Sequence, residues 1–155
     1  MSPAEQLLWI WLLAAALMVL GWLWQRRRDN AGIVDVLWST GLAAASLLLA
    51  LTGTGAPGAR LLVGVLTTAW ALRLALHLWA RVRSEPEDGR YRALREHWQG
   101  SQLKFFGFFQ FQALLVVLFS LPLAAVAGHP APAPWQLAVA ATIWLVSVGG
   151  ESLAD

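Results

Sequence analysis

Residues 7–24 read LLWIWLLAAALMVLGWLW, a run without a single charge that passes straight into Gln25-Arg26-Arg27-Arg28-Asp29-Asn30. As a helix rising 1.5 Å per residue, such a run is about 27 Å long, close to the thickness of a bilayer's hydrocarbon core. The leader Met1-Ser2-Pro3-Ala4-Glu5-Gln6 carries no basic residue, and the arginines follow the apolar run. It therefore reads as a membrane span and not as a secretory signal. Four more runs of this kind follow, at about residues 33–51, 61–79, 105–126 and 135–150. Turn-rich TGTGAPG (52–58) and GHPAPAP (128–134) separate two pairs of them, and the one long polar segment is 80–104. The expected fold is all-α: a polytopic transmembrane helix bundle of five spans forming a single domain.

Composition agrees. The 155 residues are 58% apolar and only 13% charged, about half the charge of an ordinary soluble domain. With no cysteine, disulfide scaffolds and thiolate metal sites are excluded. The net charge of +2 does not signal nucleic acid, because nine of the eleven basic residues lie in two clusters beside apolar spans. Arg26, Arg27 and Arg28 follow the first span; Arg81, Arg83, Arg90, Arg92, Arg95 and Lys104 follow the third; Arg60 stands alone in the other loops. This asymmetry predicts a cytoplasmic face for the basic loops, an external N-terminus and a cytoplasmic C-terminus. Trp22, Trp24 and Trp79 then fall at the inner interface, and Trp9, Trp11 and Trp135 at the outer one.

An ionisable side chain inside a span costs at least about 2.5–3.5 kcal/mol on insertion scales, so each marks a candidate site. Arg73, His77 and Arg81 are spaced four apart and share a helix face. Asp35 and Ser39 enter the second span from the same side, Gln110 and Gln112 lie early in the fourth, and Glu151 and Asp155 close the fifth. All fall in the half of the spans nearest the basic loops, which predicts a polar pocket opening to that side. The alternative is structural: Asp35 and Arg73 neutralising each other, and His77 or Arg73 reaching to the headgroups. No pair of histidines or carboxylates has ligand spacing, so no metal site is expected.

In the polar segment, Pro86 stops the helix of the third span and Gly89 gives a turn. Arg90 to Trp98 reads as a short helix with Tyr91, Leu94 and Trp98 on one side, lying on the membrane surface. It is either a solvated anchor or a lid whose Arg90 and Arg95 meet an anionic cofactor. Neither a Gly-rich phosphate loop nor a nucleophile elbow occurs.

Five segments in order carry a resemblance: Asp35-Val36-Leu37-Trp38-Ser39; Trp70-Ala71-Leu72-Arg73-Leu74; Glu87-Asp88-Gly89-Arg90-Tyr91 with Arg95; Lys104-Phe105-Phe106 with Phe111-Gln112; and Gly150-Glu151-Ser152-Leu153-Ala154-Asp155. From residue 33 onward the chain resembles the bacterial membrane family of unknown function 1295 (DUF1295), related to the C-terminal domain of steroid 5-alpha-reductases. The resemblance implies a membrane reductase that uses NADPH to reduce an activated carbon–carbon double bond of a lipid-like substrate, in the bacterial inner membrane. It implies cofactor contacts at Glu151 and Asp155, and makes Arg73 and Tyr91 the nearest counterparts of catalytic groups. Relatives continue past this point with a basic segment, so the chain is expected to be the N-terminal part of such a domain. Two alternatives stand beside it: an isoprenylcysteine-type methyltransferase using S-adenosylmethionine, and a non-enzymatic membrane remnant.

Overall fold

A computed structural model describes residues 1–130 and 132–154. Among them are six helices and no strand: α1 Pro3–Arg28, α2 Ile33–Thr52, α3 Pro57–Ser84, α4 Gly89–His97, α5 Gln102–Ala127 and α6 Pro134–Ala154. All but α4 are long and apolar enough to cross a membrane, which makes this a multi-pass membrane protein by length and composition. Each helix outruns its apolar core because the polar flanks also coil. Ser2 caps α1, its hydroxyl accepting from Glu5 N–H, with Pro3 in the first turn. Asp29 ends it in the left-handed region at φ 51°, a conformation Asp tolerates better than most. Pro57 starts α3 at the N1 position, and Arg81 and Arg83 continue it to Ser84, two residues before Pro86.

α2 is the central element, packed by α1, α3 and α5 together. Water cannot drive helices together within lipid, so close packing of small residues does. Gly41, Ala43, Ala45 and Ser46 are buried on α2, and the buried stripe of α1 runs Gln6, Ile10, Ala14, Met18, Gly21, Gln25. Gly21 lies so close to Leu37 that a Cβ there would strike the leucine side chain. α6 packs least: none of its described residues is buried, and it touches the body along one edge of α3.

A π-helical turn at Val63–Thr67 widens α3. Such turns alter the backbone pairing of the helix that contains them, and the Leu66 carbonyl here accepts the Trp144 indole N–H of α6 at 2.7 Å. At the end of the bundle away from the basic loops, Arg60 donates to the carbonyls of Ala50 (2.8 Å) and Leu51 (3.2 Å). It closes the C-terminus of α2, where cations complement the helix dipole.

Candidate functional site

The polar residues gather at the basic end in two clusters and a clasp. In the first cluster Asp35, in the first turn of α2, meets Tyr91 of α4. The phenol O–H is shared between the two carboxylate oxygens, each 2.8 Å away. Tyr91 is the only tyrosine in the chain and is buried, its ring against Phe108. Burial and the neighbouring Asp35 carboxylate raise its pKa above the usual phenol value, since ionising it would place a second anion in a poorly hydrated spot. Arg90, largely exposed, stands 3.6 Å from Asp35 and 3.1 Å from Asp88, and its guanidinium lies over the Tyr91 ring. Asp88 caps α4 by accepting from Arg90 N–H at 2.9 Å; that bond and the Arg90 guanidinium hold its pKa below the carboxylate norm. A cleft of about 60 Å³ opens beside the pair, its polar wall formed by Asn30, Asp35, Arg81, Glu85, Asp88 and Arg90.

The second cluster ties α3 to α6. Arg73 donates to Glu151 Oε1 at 3.0 Å, and the Trp70 indole, one turn earlier on the same face, donates to Oε2 at 2.9 Å. Glu151 therefore reaches the body of the protein through the Trp70–Arg73 face, while Asp35 is met by α4. The alternative Asp35–Arg73 pairing gives way to two separate pairs. His77, half-buried, follows Arg73 on that face; Asp155 lies outside the described residues.

The clasp holds α4 in place. Arg95 forks onto Glu87 with bonds of 3.1 and 2.9 Å, stacks over Phe105 and donates to Gln25 Oε1. Glu87 also accepts from Ala31 N–H at 2.7 Å, and Gln25 donates to Gln102 at 2.6 Å. Two-point guanidinium–carboxylate bonds are among the strongest polar contacts, and the Glu87 carboxylate is only 7% exposed. α4 is thus docked against α1 and α5. Arg95, expected to face a cofactor, is spent inside this clasp.

The remaining expected pocket residues go elsewhere. Ser39 bonds the Asp35 carbonyl of its own helix. Gln110 donates to the Ala15 carbonyl of α1 at 3.3 Å, and Gln112, half-buried, bonds neither cluster. No group of three or more metal-ligating side chains occurs among the described residues. Sequence reasoning missed Gln25, Glu87 and Trp70. Gln25 could have been found as the polar end of the buried stripe of α1, which recurs every three or four residues, and Trp70 from its i,i+3 spacing to Arg73. Glu87 had no periodic signal, since it lies in a loop.

No curated protein and no solved structure matches the chain. One family model does, described as "Protein of unknown function (DUF1295)", over residues 21–155, a stretch that contains both clusters and the clasp. The chain belongs to the DUF1295 family.

Proposed function

We propose that the chain acts in a membrane enzyme that reduces a polarised carbon–carbon double bond of a lipid-like molecule with NADPH. The observation that carries this reading is the Tyr91–Asp35 pair: a buried phenol donating to a carboxylate that itself lines a cleft beside Arg90. NADPH would supply the hydride. Tyr91 keeps its proton at neutral pH and is the acid; Asp35 fixes its orientation and accepts its hydrogen bond until a substrate carbonyl oxygen competes for it. Arg90 offers positive charge to the oxygen as it becomes an enolate. Arg73, held by Glu151, would bind a polar group of the substrate from the α6 side.

The donor set fits part of NADPH. Carboxylates of Asp35, Glu85 and Asp88 suit ribose hydroxyls and the nicotinamide amide, but three carboxylates against Arg81 and Arg90 disfavour a phosphate in the cleft. At its present volume the cleft holds a few waters, so admitting a nicotinamide requires α4 to move outward. The same acidic excess favours a second reading, a methyltransferase, because S-adenosylmethionine carries a cationic sulfonium. The excess of basic residues at this end supports its placement on the cytoplasmic side of a bacterial inner membrane.

Titration of the detergent-solubilised protein with NADPH and with S-adenosylmethionine, followed by tryptophan fluorescence, separates the readings. Saturable NADPH binding, with NADPH oxidation by an enone lipid that Tyr91→Phe lowers by about 100-fold or more, is expected. Binding of the methyl donor alone overturns the reductase reading.

A further inference from the structure

A second hollow lies behind the cleft, across the 3.3 Å hydrogen bond from Asn30 to the Val82 carbonyl. There the ends of α1 and α3 splay over the start of α2 and leave a groove of about 370 Å³. Arg28 and Arg83 stand on its two sides, with Trp24 and Trp79 between them. Both arginines are exposed, and no carboxylate of the described residues pairs with either, although Arg73, Arg81, Arg90 and Arg95 are all in ion pairs. No carboxylate lines this groove, in contrast to the Asp35 cleft.

The two indoles, 6.1 Å apart, also begin an apolar trough of about 260 Å³ that leads toward the middle of the bundle past Leu20 and Leu37. Gly21 and Ile33 complete it. Along this path the lining passes from guanidinium to indole to aliphatic within two helical turns of α1. That is the order of polarity along a phospholipid: phosphate, glycerol ester, acyl chain. Guanidinium forks match phosphate oxygens, and tryptophan favours the headgroup boundary.

We propose that this groove binds one anionic phospholipid, its phosphate between Arg28 and Arg83 and one acyl chain in the trough against Leu20 and Leu37. The trough decides between a lipid and a free phosphate ion, because it adds apolar surface that only an attached chain can cover. The site stands on its own geometry and does not depend on the reaction proposed for Tyr91.

The test uses the full chain in detergent, with retained lipid counted by native mass spectrometry against phosphatidylglycerol, phosphatidylcholine and inorganic phosphate. Phosphatidylglycerol is expected to bind, phosphatidylcholine about tenfold or more weakly, and millimolar inorganic phosphate not to displace the lipid. Arg28→Ala with Arg83→Ala should weaken phosphatidylglycerol binding by about tenfold, whereas Arg26→Ala with Arg27→Ala, an equal charge change outside the groove, should alter it by about twofold or less. Leu20→Gln, at an exposed position, should weaken binding of the long-chain lipid and leave that of a short-chain analogue unchanged. Equal losses in the two double variants would reduce the effect to surface charge and overturn the proposal. So would equal affinity for the two lipids, or displacement by inorganic phosphate.

Discussion

The two ends of the bundle are tied by different groups. At the basic end, side chains from distant loops converge: Glu87 and Arg95 join α4 to Gln25, Asp29 and Ala31, and Tyr91 joins it to Asp35. At the opposite end the ties lean on the backbone, with Arg60 on the Ala50 and Leu51 carbonyls and Gln6 on Thr52 as side-chain additions. Gly55 N–H donates to the Ala127 carbonyl at 3.0 Å and Ala56 N–H to that of His129 at 2.8 Å, so the loops after α2 and α5 pair directly. Side-chain ties carry charge, respond to pH and leave lone pairs and protons near solvent. Backbone ties do none of this and only require close approach. Most of the ionisable side chains are thus concentrated at one end, and the other serves closure.

Cutting each kind of tie should separate them. Glu87→Ala strands the Ala31 N–H and leaves Arg95 only Asp29 and Gln25 as polar partners, and loss of one partner of a buried pair costs up to about 3–5 kcal/mol. Thermal unfolding in detergent should therefore show a large fall in Tm. Gly55→Ala tests the backbone tie: a Cβ there would press on the Ala127 and His129 carbonyl oxygens, and overpacking of this kind costs about 1–3 kcal/mol. That loss should be the same at any pH from mildly acid to alkaline. If it varies with pH as strongly as that of a side-chain tie, the contrast between the ends fails.

Tyr91→Phe removes one hydrogen bond to a charged group and should lower stability by about 1.5–3 kcal/mol. Its pH dependence has a definite sign. The folded-state pKa is raised, so the protonated phenol favours the fold; the contribution is complete below the ordinary value of 10.0 and is lost as pH rises beyond it. Because the chain has one tyrosine, its tyrosinate absorbance reports this single group. Ionisation should begin well above pH 10 in the native protein and move down toward the ordinary phenol range in Asp35→Asn, where the neighbouring anion is gone. A native protein whose tyrosine titrates at the ordinary value would refute the buried pair.

The spans were readable because lipid imposes a length and a composition that little else shares. Their ends were less so: residues 7–24 grow to Pro3–Arg28 and 61–79 to Pro57–Ser84, since capping and proline placement, and not hydropathy, stop the coil. The α4 helix was legible from Pro86 and Gly89, and the choice of Asp35 and Tyr91 as notable residues from their chemistry. Their pairing was not, for nothing in local periodicity links positions 56 apart. The fate of Arg95 was hidden for the same reason, as its partners Gln25, Asp29 and Glu87 come from a helix end and two loops. Gln110 was legible as a polar residue inside a span, but only packing shows that it serves α1.

The widened turn at Val63–Thr67 sets the angular phase of everything after it in α3. Winding the same residues into regular α-coil would add one residue's rotation, turning the second half of the helix by about 100° relative to its first. Arg60 would still reach the end of α2, while Trp70 and Arg73 would swing away from Glu151. One peptide unit thus keeps two opposite jobs of a single helix in register.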